Sequence, residues 1–271
     1  MDSRDFTLLL DRFGLSAEGY RKVRKGVRKR ITRHMQELRC PSMKAYLERL
    51  ETDGDAEKEA RRLTDVSISR FFRDGPLWRT LEEEILPSLI AEHPGGLRAW
   101  SAGCALGQEA YSFAMLWLTL AGRTAAMPPL EFWATDVKPA YLGRASEGVY
   151  PAAALGRVPL EARARFFRPA GKKSFRVANE LREGIRWQAH DLTAEPPPGR
   201  DFHIVFLRNN LLTYYRSEVV EAALPAIADS LAPGGFLVIG QKERLPGFLK
   251  GFNPHAVAYC LYRKRGPREP L

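Results

Sequence analysis

The stretch Leu97-Arg98-Ala99-Trp100-Ser101-Ala102-Gly103-Cys104-Ala105-Leu106-Gly107-Gln108-Glu109 decides the architecture of this chain. A mostly apolar run ends in a cluster of small residues, and an amphipathic segment, Glu109–Leu120, follows at once. That pattern reads as strand, tight turn and helix. The small residues let the backbone turn sharply and let a ligand come close to it. The alternation continues downstream, with strand candidates at Leu130–Thr135, Ile185–Ala189, His203–Leu207, Phe236–Ile239 and Ala256–Tyr262 and a second clear helix at Ser217–Leu231. Strands alternating with helices imply a mostly parallel sheet covered on both faces. Right-handed crossovers make it a doubly wound, Rossmann-like α/β domain, which binds ligands beyond the carboxyl ends of its strands.

Upstream the texture is different. Residues 1–70 read as all helical: Ser16 precedes a helix running towards Leu38, Pro41-Ser42 starts another through Leu50, and a charged helix after Thr52-Asp53-Gly54-Asp55 reaches about Thr64. The chain thus divides into a helical domain, 1–70, and an α/β domain, 71–271. A stretch from about 150 to 183, with Phe166-Phe167, Gly171-Lys172-Lys173 and Phe175-Arg176-Val177, breaks the rhythm and reads as a short helix plus a small inserted hairpin.

Composition narrows the class. With 271 residues, 45% hydrophobic and 27% charged, the chain can bury a large core and is neither disordered nor fibrous. No apolar run approaches the ~18–20 residues of a membrane span, and Met1-Asp2-Ser3-Arg4-Asp5 has no apolar signal core. Three scattered cysteines, Cys40, Cys104 and Cys260, suit a reducing cytoplasm. The five histidines form no metal-ligand spacing, so no metal site is expected.

The formal charge is +10, and Arg21 to Arg39 supplies +8 of it, with nine basic residues opposed only by Glu37. Tyr20, Val23, Val27, Ile31, Met35 and Leu38 recur every three or four residues along the same stretch. That is an amphipathic helix with an apolar stripe inward and a basic face outward. Such a face is either merely solvated or a dock for an acidic partner. Nucleic-acid readers interleave aromatics for stacking; Tyr20 is the lone aromatic here, which favours an acidic protein surface over nucleic acid.

The cofactor reading rests on two strand ends. Gly103 and Gly107 spell neither the dinucleotide fingerprint nor a phosphate loop, and no lysine follows to hold a β-phosphate. The second strand ends in Ala134-Thr135-Asp136, and an acid there accepts hydrogen bonds from ribose hydroxyls or else caps the next helix. A glycine-bearing loop, a ribose acid and no phosphate cradle together suggest S-adenosylmethionine (SAM), which has an adenosine but no pyrophosphate.

These residues resemble the chemotaxis-receptor glutamate methyltransferases, the CheR family, along nearly the whole chain. The family's N-x-T-x-F-F-R stretch resembles Ser67-Ile68-Ser69-Arg70-Phe71-Phe72-Arg73, with Ser67 and Ser69 in place of Asn and Thr. Its W-x-A-x-C-x-x-G-x-E-x-Y-S stretch resembles Trp100 to Ser112, its A-T-D is Ala134-Thr135-Asp136, and its G-x-Y is Gly148-Val149-Tyr150. Its F-C-R-N-x-x-I-Y-F segment resembles Phe206 to Tyr215, and its closing G-x-S-E-x-L resembles Gly240 to Leu245, with Lys242 where Ser is common. The usual Asn-Leu after the third strand is Asp191-Leu192. The resemblance implies a class I SAM-dependent methyltransferase domain with a small helical N-terminal domain and a small inserted β-subdomain. It implies a cofactor site of Ser67, Ser69, Arg73, Gly103, Glu109, Asp136, Asp191, Leu192, Arg208 and Asn209, with S-adenosylhomocysteine as product. The implied active-site residues are Arg73 and a tyrosine matched by Tyr214 if the extra residue lies at Asn210, or by Thr213 in a gapless reading. The implied acceptor is an acidic helical protein such as a chemoreceptor signalling region, docked through the basic helix at 20–39.

The chemistry is compatible with these residues. A glutamate, with a reference pKa of ~4.3, is already a carboxylate at neutral pH and needs no general base. Positioning can supply ~7–11 kcal/mol of barrier lowering. Two other readings share the motifs: a methyltransferase of a nucleic-acid or small-molecule acceptor, and a SAM-binding regulatory or scaffold protein without turnover. Against nucleic-acid bases, Asn209-Asn210-Leu211-Leu212 lacks the proline-containing tetrapeptide that grips an exocyclic amine. Asp136→Ala is expected to weaken SAM binding by ~1.5–3 kcal/mol, the scale of hydrogen bonds to a charged group; calorimetry showing unchanged affinity would remove Asp136 from the site.

Overall fold

The computed structural model describes residues 1–124 and 126–266, which form two compact units. The first comprises Met1–Ser67 with Asn210–Glu221, the second Ile68–Asn209 with the chain from Ala222 onward.

In the first unit, helices α1 (Ser3–Arg12), α2 (Arg24–Glu37), α3 (Met43–Thr52) and α4 (Gly54–Thr64) follow one another. Three of the four starts are set by side-chain caps. Asp2 and Asp5 form a reciprocal capping box, Ser42 accepts the Ala45 N–H, and Asp53 accepts the Ala56 N–H. The apolar stripe of α2 is buried at Val27, Ile31 and Met35 beside Phe6, Leu9, Leu10 and Tyr46. The helix expected from Ser16 begins only at Arg24, and residues 17–23 are turns. The reason is a competing partner. The Ser16 N–H donates to the Tyr214 carbonyl at 2.8 Å, and Leu15 pairs with Tyr215. A Cβ on Gly19 would lie 1.9 Å from the Thr213 carbonyl oxygen. The 210–221 segment is therefore part of this unit's core and not of the sheet that precedes it in the chain.

The second unit opens with α5 (Gly75–Thr80), a π-helical turn (Leu81–Ile85) and α6 (Leu86–Glu92). Then come β1 (Leu97–Ala102), α7 (Gln108–Ala121), β2 (Leu130–Asp136) and α8 (Pro139–Glu147). The insert follows as β3 (Val149–Pro151), α9 (Leu160–Phe166), β4 (Phe167–Pro169) and β5 (Ser174–Val177), and α10 (Asn179–Glu183) leads to β6 (Arg186–Ala189) and β7 (Phe202–Leu207). After α11 (Leu211–Tyr214), which belongs to the first unit, and α12 (Ser217–Asp229) come β8 (Leu231–Ile239), β9 (Phe252–Pro254) and β10 (Leu261–Lys264).

The main sheet has seven strands in the order β6-β2-β1-β7-β8-β10-β9. Pairs from β6 through β8 are parallel, and β10 runs antiparallel to both neighbours. This is the doubly wound α/β arrangement, with its reversal between β1 and β7. The insert forms a separate antiparallel sheet, β3-β5-β4. The central strands are apolar on both faces, and Trp100 packs between Phe202 and His190 with its indole N–H on Thr135 Oγ1 at 2.9 Å.

One strand expectation fails. Ala256–Tyr262 is mostly the connection between β9 and β10, not a strand. His255 Nδ1 accepts the Val257 and Ala258 N–H groups and closes the turn. Val257 and Tyr259 are left exposed, which is how an apolar turn mimics a strand in sequence.

A clash with a backbone oxygen cannot be relieved by a rotamer change. Gly19→Ala is expected to destabilise the protein by at least ~1–3 kcal/mol, the usual overpacking range. Gly54→Ala, whose Cβ would meet nothing within 4 Å, is expected to be neutral or mildly stabilising. Chemical denaturation of both variants checks the contrast.

Candidate cofactor and methyl-transfer site

Because β6, β2, β1, β7 and β8 are parallel, their carboxyl ends share one edge of the sheet. Most of the residues singled out in sequence cluster there.

Beyond β1 the backbone turns through Gly103 (φ 78°), Ala105 (φ 50°) and Gly107 (φ 80°) before α7 begins. The Gly103 and Cys104 N–H groups both donate to the Thr135 carbonyl at 2.8 Å. Gly107 cannot be replaced cheaply, since a Cβ would sit 2.9 Å from both Ala145 Cβ and the Trp187 ring. Asp136 closes the loop from the β2 side. Its Oδ2 accepts the Ala105 N–H at 2.9 Å and its Oδ1 accepts the Lys138 N–H at 3.0 Å. The acid is buried, and that burial pushes its carboxyl up from the usual range against those two bonds. So Asp136 both shapes the loop and presents carboxylate lone pairs at the strand end. β6 ends beside it, through the register pair Asp136↔Ala189 and the His190 N–H on the Asp136 carbonyl. Asp191 follows, its Oδ1 accepting the Thr193 N–H and hydroxyl, with Leu192 between them.

Arg208, just past β7, is the hub. Its side chain is 1% exposed. It donates to Glu109 Oε2 at 2.9 Å, to Asp74 Oδ2 at 2.5 Å and to the Arg73 carbonyl at 3.2 Å. The other oxygen of Glu109 accepts the Ser101 hydroxyl at 3.0 Å, so both Glu109 oxygens are engaged by protein groups. Arg73 in turn donates to Asn209 Oδ1 at 2.8 Å and to the Ile68 carbonyl at 3.2 Å. Its neighbours Phe72 (φ 45°) and Asp74 (φ 65°) are left-handed non-glycine residues, as is Asn209 (φ 54°). Such conformations cost ~1–3 kcal/mol each and persist only where the surroundings enforce them. Here Ser112 Oγ accepts the Phe72 N–H, the Trp78 indole N–H holds the Arg73 carbonyl, and Phe71 is buried between Tyr150 and Phe167.

Arg73, Gly103, Asp136, Asp191, Leu192, Arg208 and Asn209 thus lie in the second unit on the strand ends and their loops or the segment bonded to them, and Glu109 lies in the first turn of α7. Ser69 is half-buried in the same unit. Ser67 and Tyr214 belong to the first unit, where the Tyr214 ring meets Tyr20 edge-on at 5.3 Å. Asp74 and Glu243 went unassigned in the sequence reading. Asp74 follows the F-F-R stretch directly and Glu243 stands inside the closing motif, so both signals were present as spacing. Among the described residues no group of three or more His, Cys, Asp or Glu could hold a metal ion, and no helix is long and apolar enough to cross a membrane.

The acceptor groups at these strand ends fit SAM. A buried carboxylate at the end of β2 suits a ribose diol. At the start of α7 the buried Gln108 Oε1 lacks a hydrogen-bond donor, leaving an acceptor for an N–H of a bound molecule.

Residues 67–258 match the family described as CheR methyltransferase, SAM binding domain. The chain is 34% identical over 243 residues to an uncharacterized 104.1 kDa protein in the hypE 3' region of Rhodobacter capsulatus, covering 89% of this chain and 25% of that one. It spans about a quarter of that relative's length. It is 30% identical over 241 residues to a chemotaxis protein methyltransferase of Listeria innocua, covering 89% of this chain and 88% of that one. A chemotaxis protein methyltransferase of Vibrio anguillarum is 29% identical over 230 residues, with 83% of each chain covered. The chain therefore belongs to the CheR methyltransferase family, with its SAM-binding domain at residues 67–258.

Proposed function

We propose that the protein transfers a methyl group from SAM to glutamate side chains of an acidic helical protein, such as a chemoreceptor signalling region, in the cytoplasm. The observation that carries this reading is Arg73, a guanidinium fixed by Asn209 Oδ1 beside the strand ends proposed to bind the cofactor. A fixed guanidinium recognises a carboxylate by charge-assisted hydrogen bonds. Bound SAM supplies an electrophilic methyl: the O–C bond forms as the C–S bond breaks, and the electron pair stays on sulfur, leaving a methyl ester and S-adenosylhomocysteine. The acceptor carboxylate arrives deprotonated, so no side chain must take a proton. This agrees with His190, the histidine next to the β6 end, being buried against Trp100 with its Nε2 on the Pro196 carbonyl. Arg73 is the residue proposed to act on the acceptor. Similarity to the chemotaxis protein methyltransferases of Listeria innocua and Vibrio anguillarum supports a chemotaxis acceptor.

The basic helix supports a protein acceptor in a form that differs from the sequence reading. Arg24 and Arg28 are half-buried and hold the N-terminus, donating to Ser3 Oγ and the Met1 carbonyl. Arg30 donates to the Leu63 and Asp65 carbonyls. The exposed row on α2 is Lys25, Lys29 and Arg33, four residues apart. These are the cations proposed to meet an acidic helix.

Replacing Lys25, Lys29 and Arg33 together by Ala is expected to raise the apparent KM for an acidic protein acceptor severalfold and to flatten its salt dependence. Complementary charge mainly speeds encounter, and the Debye length falls from ~10 Å at 0.1 M to ~3 Å at 1 M. SAM affinity is expected to stay unchanged. Steady-state kinetics across a salt series checks this, and an unchanged KM would remove α2 from acceptor binding. Tight, salt-sensitive RNA or DNA binding in a filter assay, with no transfer to acidic proteins, would overturn the choice of acceptor.

A further inference from the structure

Glu243 is buried although it lies outside every helix and strand of the second unit. One of its carboxylate oxygens, Oε2, accepts two main-chain N–H groups, that of Asn209 at 3.0 Å and that of Gly240. Strands β7 and β8 pair in register to Leu207↔Ile239, so this single oxygen ties together the two backbones just past their ends. Asn209 is the residue held in the left-handed region at φ 54°, a conformation that an ordinary side chain keeps only under restraint. The same residue's Oδ1 accepts the Arg73 guanidinium.

We infer that Glu243 is a positioning residue for Arg73 and acts through Asn209, an inference that rests on the role proposed for Arg73 above. The carboxylate oxygen fixes the Asn209 backbone in its turn. The turn aims Oδ1 at Arg73, and that bond sets where the guanidinium meets a carboxylate. Gly240 belongs to the same device. A Cβ there would lie 2.6 Å from Glu243 Oε2 and 2.9 Å from Asn209 Nδ2, so a side chain would push both out of place. Its φ is outside the left-handed region, so the cost of losing the glycine comes from this contact and not from backbone strain. Both N–H groups converge on one oxygen, and an amide oxygen in the same place can accept them as well.

The test is steady-state methyl transfer to an acidic protein acceptor by the full chain, with Tm measured alongside. Glu243→Ala is expected to lower kcat/KM at least tenfold, and Glu243→Gln to recover at least a third of the wild-type value. Gly240→Ala is expected to repeat the alanine loss with the carboxylate still present, and keeps the test open if Glu243→Ala fails to fold. In an Arg73→Ala background, Glu243→Ala or Gly240→Ala should cost less than a further twofold, because the residue being positioned is already gone. Losses that multiply with those of Arg73→Ala, or a Gln variant as damaged as the Ala variant, would overturn the inference in favour of a merely structural role. An impaired Arg73→Ala beside a fully active Glu243→Ala would overturn the positioning alone. A fully active Arg73→Ala would overturn the role of Arg73 itself and the inference with it.

Discussion

The second unit is organised around one buried cation. The Arg208 guanidinium is almost fully removed from water, and desolvation on that scale is offset only by good geometry and several partners. It has them in Glu109 from the first turn of α7, Asp74 from the segment before α5, and the Arg73 carbonyl. Two parts of the chain far apart in sequence, residues 73–74 and the start of α7, are thereby fixed to the end of β7. Losing the guanidinium would leave two carboxylates facing each other without their shared partner, a loss on the order of 3–5 kcal/mol. The position of Arg73 follows from this arrangement, because its carbonyl is held by Arg208 and its side chain by the next residue, Asn209.

Backbone strain follows the same map. Of the non-glycine residues with positive φ among the described residues, Phe72, Asp74, Ala105 and Asn209 lie on the strand-end loops or the segment bonded to them. Each is restrained by a named bond: Ser112 for Phe72, Arg208 for Asp74, Asp136 for Ala105 and Glu243 for Asn209. Protein groups alone thus hold these turns in place. A reaction whose acceptor is already a nucleophile depends chiefly on orientation, so a rigid frame is what the chemistry needs.

Much of this was legible in the sequence, for local reasons. The small-residue loop after β1 and the acid after β2 are short-range signals whose geometry is dictated by neighbours in the chain. Period and capping residues placed α3, α4 and α7 within a few residues of where they lie. What stayed hidden depends on partners distant in sequence. The turns at 17–23 exist because Ser16 and Gly19 meet Thr213 and Tyr214, which no helical periodicity can announce. The false strand at Ala256–Tyr262 arose because apolar turn residues closed by His255 look like a buried run. Arg24 and Arg28 look like surface charges in a pattern but are hydrogen-bonded to the N-terminus. The spacing of Asp74 and Glu243 in their motifs does not announce their roles, which lie in the backbone and guanidinium groups they hold.

The central claim is that a carboxylate, not an amine or a nucleic-acid base, receives the methyl group. The most direct measurement is transfer of label from methyl-labelled SAM to a purified acidic helical receptor fragment, followed by mild base. A methyl ester hydrolyses under those conditions and releases volatile labelled methanol, whereas N-methyl and C-methyl products keep their label. Base-labile label on glutamate residues of the fragment is the expected result. Base-stable label, or SAM binding with no transfer to any acidic protein, would contradict it.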